Sequence, residues 1–159
     1  MKYLIAFLMS MVPVIELRGS IPMAISSGIN PWVAFALGVV GNMVPVVLVL
    51  LFVRRVFKWM KKYDRLGKIA TKLENRANAK SEKVRKNELT GLCILVAIPL
   101  PGTGAWTGAL IAAITKMRIR RALPTIFVGV VIAGLIVTLV SIMAKAGYHK
   151  LDFLLGSGI

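Results

Sequence analysis

Residues 31–53 and 122–144 are 23 residues each, and neither stretch contains a charged side chain. As α-helix, such a stretch rises about 35 Å, enough to cross the hydrocarbon core of a bilayer with some tilt. Few folds outside a membrane accommodate two such segments in 159 residues. The rest of the composition agrees: 57% of the chain is hydrophobic, and the mean hydropathy is +0.78. A soluble domain of this length is far less apolar.

Pro31 suits a helix start, Trp32 an interface anchor, and Arg54-Arg55 a cytoplasmic stop. Charge is confined to a few places. Of the 21 basic residues, thirteen lie between Arg54 and Thr90 and four between Lys116 and Arg121. The formal net charge of +15 therefore points to loops held against anionic lipid at the cytoplasmic face, and not to nucleic acid. One Cys (Cys93) and one His (His149) leave no intrachain disulfide and no Cys/His metal site. No metal or other cofactor is expected. The apolar N-terminus is shaped like a secretory signal. However, Glu16-Leu-Arg18 stands where a small-x-small cleavage site is needed, so the segment is expected to stay.

Two more apolar stretches, 3–29 and 91–115, are interrupted. The first carries "ELRGSIP" (16–22) and the second "AIPLPGTGAWTGAL" (97–110). Proline removes a helix donor, and irregular backbone at membrane depth is tolerated only inside protein or along a wet cavity. If all four stretches cross, the basic loops 54–90 and 116–121 fall on opposite sides. If 91–115 enters and returns as a hairpin, both are cytoplasmic, which the positive-inside rule favours. A proline-kinked full span over 91–115 is the alternative.

With 3–29 as a hairpin from the other side, the chain becomes an all-α integral membrane protein of two inverted repeats. Each repeat is a re-entrant helical hairpin plus one transmembrane helix: residues 1–53 (hairpin 3–29, helix 31–53) and 91–159 (hairpin 91–115, helix 122–144, tail). Residues 54–90 join them as a basic amphipathic cytoplasmic helix, with a solvated basic loop as the alternative. A short echo, "FALGVVG" (35–41) against "IFVGVVI" (126–132), accompanies the repeat. Paired broken segments in inverted repeats are where transporters place their sites.

The motifs "ELRGSIP" and "AIPLPGTGAWTGAL" resemble the small multidrug export proteins over nearly the whole chain. More distantly, the pattern is similar to the DedA (VTT-domain) superfamily, which has two opposed re-entrant hairpins and includes lipid-carrier flippases and scramblases. Glu16 corresponds to that superfamily's acid, and Pro99, Pro101 and Gly102 to its Pro-Gly element. Its arginine in the second hairpin has no counterpart, since Arg18 sits in the first. The chain lacks the plain four-helix pattern of the small multidrug resistance type.

Glu16 and Arg18 each cost about 2.5–3.5 kcal/mol to place mid-membrane, so they mark a functional position by default. Two mechanisms fit. Glu16 takes up and releases a proton while a cationic substrate competes for it. Alternatively, Arg18 and the N–H groups freed at the breaks hold an anionic head group such as phosphate. The expected substrate or proton site comprises Glu16, Arg18, Pro22, Pro99, Pro101, Gly102, Thr103, Trp106 and Thr107. A purely structural Glu16–Arg18 pair is the bland alternative. Gly38, Asn42 and Pro45 on the first long helix, with Gly129 and Ala133 on the second, offer faces for close helix packing.

The function expected is transport or flipping of a small amphiphile or lipid head group, without enzymatic chemistry. A non-transporting membrane scaffold or biogenesis protein is the alternative. A multi-pass place in the prokaryotic cell membrane and a homodimer complete the expectation, because two helices and two hairpins make a thin wall around a pathway.

Overall fold

The computed structural model describes residues 1–60, 88–99, 103–115 and 117–156. Six helices and no strand occur among the described residues: α1 (Lys2–Met11), α2 (Glu16–Ser26), α3 (Pro31–Met60), α4 (Glu88–Ala97), α5 (Ala105–Ile114) and α6 (Ile119–Gly156). The linker helix expected over 54–90 lies, for residues 61–87, outside them.

Two helices are long and apolar enough to cross a membrane, over Pro31–Val53 and Ile119–Gly147. Only 39% and 33% of these windows is buried, which is unlike the core helix of a soluble protein. Their exposed faces carry Val40, Val44, Leu48 and Leu51 on α3, and Phe127, Leu135, Leu139 and Met143 on α6. Large apolar residues on the outward face are the pattern of helices solvated by lipid. The side-chain oxygen of Asn30 accepts the Trp32 N–H at 2.9 Å and so caps α3. Both helices outrun their apolar stretches, because nothing in the flanking sequence breaks a helix: α3 continues to Met60 and α6 to Gly156. The other four helices have ten or eleven residues, about 15 Å each, half of what a crossing needs.

The chain divides into two compact units. One holds Met1–Asn42 with Ile132–Ile159, and the other holds Met43–Val131. Each therefore takes one pair of short helices and a part of each long helix.

In the first unit, α1 and α2 form a helical hairpin whose ends meet: Lys2 Nζ donates to the Ser27 carbonyl at 3.1 Å. The break expected within "ELRGSIP" lies earlier, over residues 12–15. Pro13 is the cause. A residue before proline is driven from the helical region, and Val12 is extended at φ −74°, ψ 130°. Pro22 sits inside α2 and deprives only the Arg18 carbonyl of its helical donor. Gly38 of α3 receives α2: a Cβ there would lie 2.8 Å from Ile21 Cγ1. Gly41 receives α1, since a Cβ would lie 2.7 Å from the Phe7 carbonyl oxygen and still closer to Ser10 Oγ. Gly134 of α6 packs on Phe35 and Val39. Lys145 of α6 donates to the Ile25 carbonyl at 3.1 Å, so two lysines cap the C-terminal end of α2.

In the second unit, α4 and α5 pair in the same way, with Val96 and Leu92 against Gly108. Gly129 of α6 receives α4: a Cβ would lie 2.7 Å from Val96 Cβ and 2.9 Å from the Cys93 carbonyl oxygen.

Details of the two hairpins recur. Ser27 ends α2 with its N–H on Ile25 and Met23, and Thr115 ends α5 on Ala113 and Ile111. Two residues on, Ile29 N–H donates to the Ala24 carbonyl and Met117 N–H to the Ala112 carbonyl, each at 3.0 Å. All these positions differ by 88. Gly41 and Gly129 also differ by 88, and each faces the sixth residue of a first arm, Phe7 or Cys93. The sequence echo instead pairs Gly38 with Gly129. That register is three residues out, because Gly38 faces the second arm of its hairpin and Gly129 the first.

Candidate functional site

Glu16 opens α2 directly after the break. Its φ is +48°, the one positive φ of a non-glycine residue among the described residues. That conformation costs an L-residue about 1–2 kcal/mol. The residue is only 4% exposed. Its N–H donates to the Val12 carbonyl at 2.9 Å, which closes the tip of the hairpin. Its carboxylate lies 3.8 Å from Arg18 Nε, an ion pair without close hydrogen-bond geometry. A negative charge in the first turn also faces the positive end of the α2 dipole. A buried acid, one cation and a helix N-terminus thus meet at one hairpin tip. Such a group can exchange a proton or pair with a cation. Pro22 lies on the same helix nearly two turns away, half-buried.

The other expected site residues belong to the second unit. Pro99 is exposed after the end of α4. Thr103 Oγ1 donates to the Ile98 carbonyl at 2.8 Å and ties the two ends of the break together. Gly104 caps α5 with φ +137°, a region open to glycine. Trp106 and Thr107 stand in the first turn of α5, both half-buried. Pro101 and Gly102 lie outside the described residues. Gly104 stands 88 positions after Glu16, so the two hairpins enter their second arms through a positive φ at matching places.

Of the expected packing residues, Gly38, Asn42 and Ala133 are in the first unit, and Pro45 and Gly129 in the second. All five are buried. Asn42 Oδ1 is buried with no hydrogen-bond partner, as is Thr138 Oγ1.

Two features of the first hairpin had no distinctive signal in the sequence. Ser20, one turn after Glu16, is 2% exposed and its hydroxyl has no hydrogen-bond partner. It lines a cleft of about 100 Å³ between α1 and α2, whose walls include Lys2, Ile5, Met9 and Met23. A serine among apolar residues reads as a small packing residue, and a lysine at position 2 as an ordinary terminus.

Among known families, residues 16–136, about three quarters of the chain, match the one described as "Putative small multi-drug export protein". No curated protein and no solved structure matches the chain.

Proposed function

Because the chain belongs to this small multi-drug export protein family, we propose that it is a membrane transporter that moves a small amphiphile past Glu16. The observation that carries the reading is Glu16 itself: an acid buried to 4% exposure, beside Arg18, in a left-handed backbone conformation that glycine adopts freely and glutamate does not. The matching position of the other hairpin is glycine. A residue kept where its backbone is strained and its charge is poorly solvated points to use of the carboxylate itself. In this reading a proton and a cationic amphiphile compete for Glu16, and release of one admits the other.

The architecture proposed with it is a pair of inverted repeats whose hairpins re-enter the membrane, similar to the opposed hairpins of the DedA proteins. Two things support the repeat. The arms are half the length of a crossing, and the caps, positive-φ positions and glycine seats recur at a spacing of 88. The inverted orientation is supported by charge: only a returning 91–115 puts both basic loops on the cytoplasmic face. A thiol-labelling experiment checks this. With Cys93 replaced by Ser, single cysteines at Lys83 and Arg120 label from the cytoplasmic side with an impermeant reagent, and one at Lys2 from outside. Labelling of position 120 from outside would make 91–115 a full span and end the inverted-repeat reading.

Transport is tested with purified protein in liposomes. An imposed pH gradient is expected to drive a lipophilic cation across the membrane faster than in protein-free vesicles. Movement of a fluorescent phospholipid in place of the cation would shift the role from Glu16 to Arg18 as an anion holder. If neither probe moves faster than in empty vesicles, the chain is a scaffold and not a transporter.

A further inference from the structure

We infer that the cleft between α1 and α2 is a lipid site that holds the upper segment of one acyl chain of an anionic phospholipid, with its phosphate on Lys2 and Lys145. The inference rests on the chain being embedded in a bilayer and is independent of whether Glu16 moves a substrate.

Size selects the occupant first. The cleft holds about 100 Å³. Pockets for whole drug-sized molecules run to about 300–1,000 Å³, so the cleft takes a segment of a molecule and not an entire one. Its walls select apolar contact: Ile5, Ala6, Met9, Met23 and Ala24 line it, and the two methionines are unbranched and adaptable. An alkyl chain fits such walls and a hydrated ion does not.

Charge then selects the head group. Lys2 belongs to the rim of the cleft and holds the Ser27 carbonyl, while Lys145 holds the Ile25 carbonyl two residues earlier on the same helix end. Both lysines are exposed. Each ammonium group has three donors and spends one on the carbonyl named, so donors remain for a phosphate. The acid of this hairpin, Glu16, stands at the opposite end of α2 with Arg18 as its neighbour. A zwitterionic head group would bring a second cation to a rim that is already cationic.

Ser20 supplies the third argument. It lines the cleft, and its buried hydroxyl lacks a partner within the protein. It lies seven residues before Ser27, about 10 Å along the helix. It therefore marks the depth to which the acyl segment reaches below the lysine rim.

Native mass spectrometry of the purified full chain, taken from nanodiscs that mix phosphatidylglycerol with phosphatidylcholine, tests the site. The wild type is expected to retain one phosphatidylglycerol per chain. Ser20→Leu, which fills the cleft and removes the hydroxyl, is expected to lose it. The double variant Lys2→Gln/Lys145→Gln is expected to retain it about ten-fold less, the effect of losing charge-assisted contacts. Equal retention of the two lipids, or retention untouched by Ser20→Leu in a protein of unchanged melting temperature, overturns the proposal.

Should Ser20→Leu not fold, a thiol at the same place decides. Ser20→Cys, with Cys93→Ser, is expected to react with the bilayer-soluble N-ethylmaleimide, more slowly as phosphatidylglycerol replaces phosphatidylcholine. It is expected to resist a charged methanethiosulfonate. Rapid reaction with the charged reagent means a water-filled cleft, and a rate with N-ethylmaleimide that ignores lipid composition means no anionic lipid occupies it. Either result overturns the proposal.

Discussion

Glu16→Gln protein is expected to reach the membrane and fold as the wild type does, while the cation flux driven by a pH gradient falls to that of empty vesicles. The substitution keeps the side chain's size and its ability to accept a hydrogen bond. It removes the negative charge, and with it the ability to bind either a proton or a cation. Normal flux by this variant would falsify the coupling role. Glu16→Gly sharpens the result. Glycine meets no penalty at φ +48°, and the poorly solvated carboxylate is gone. The melting temperature of Glu16→Gly is therefore expected to equal or exceed that of the wild type, while its gradient-driven flux is lost. A residue that lowers stability and is indispensable for activity is placed there for its chemistry. A purely structural Glu16–Arg18 pair predicts the reverse, with stability falling and flux retained.

The second large effect concerns the glycine seats. Gly41→Ala and Gly129→Ala are each expected to destabilise the protein by about 1–3 kcal/mol, the usual cost of forcing atoms into a packed interior. In each case the added methyl meets a backbone carbonyl, which cannot step aside as a flexible side chain does: Phe7 at 2.7 Å and Cys93 at 2.9 Å. Thermal melting in detergent reads this as a loss of roughly 2–4 °C per kcal/mol for a chain of this size. Gly91→Ala is the control. Apart from its own helix backbone, no atom lies within 4 Å of the site of its Cβ, and alanine is the better helix former, so the melting temperature is expected to hold or rise. Similar losses at positions 41 and 129 fit two copies of one design. A loss at only one of them would mean that the shared spacing is not a shared architecture.

The long helices are legible in the sequence because hydropathy over 23 uncharged residues overrides any local preference. Their ends are less so. Hydropathy marks where the apolar core stops, whereas the backbone continues until something breaks it, and Lys and Arg are good helix formers. The first break lies away from the most conspicuous motif for a related reason. "ELRGSIP" draws the eye with a glycine, a proline and two charges. The residue that ends α1 is Pro13, which acts on Val12 before it. Pro22 costs α2 one hydrogen bond and leaves the helix intact.

The second hairpin was easier to locate, since its prolines and glycines fall in the break itself. The internal register was visible only in part. "GVVG" and "GVVI" align by letters, but a seat is defined by the helix that sits in it, and the letters do not carry that information. Glu16 stood out by charge alone. Its positive φ did not, because no neighbouring residue type requires it. The cleft beside Ser20 was invisible, being made of residues that are individually ordinary.

The seats on α3 and α6 also set an order of events while the chain is being made. Each hairpin is synthesised before the long helix that receives it: α1 and α2 before Gly38 and Gly41, α4 before Gly129. Arms of ten or eleven residues are too short to span the bilayer by themselves. They have nothing to lean on until the next segment emerges. In the proposed re-entrant architecture, the nascent hairpin waits at the membrane surface or within the insertion machinery while the 30 residues of α3 are made, its tip carrying Glu16 in the first case. Insertion is then a delayed step, completed when the following helix enters, and ribosome pausing between α2 and α3 would lengthen that wait.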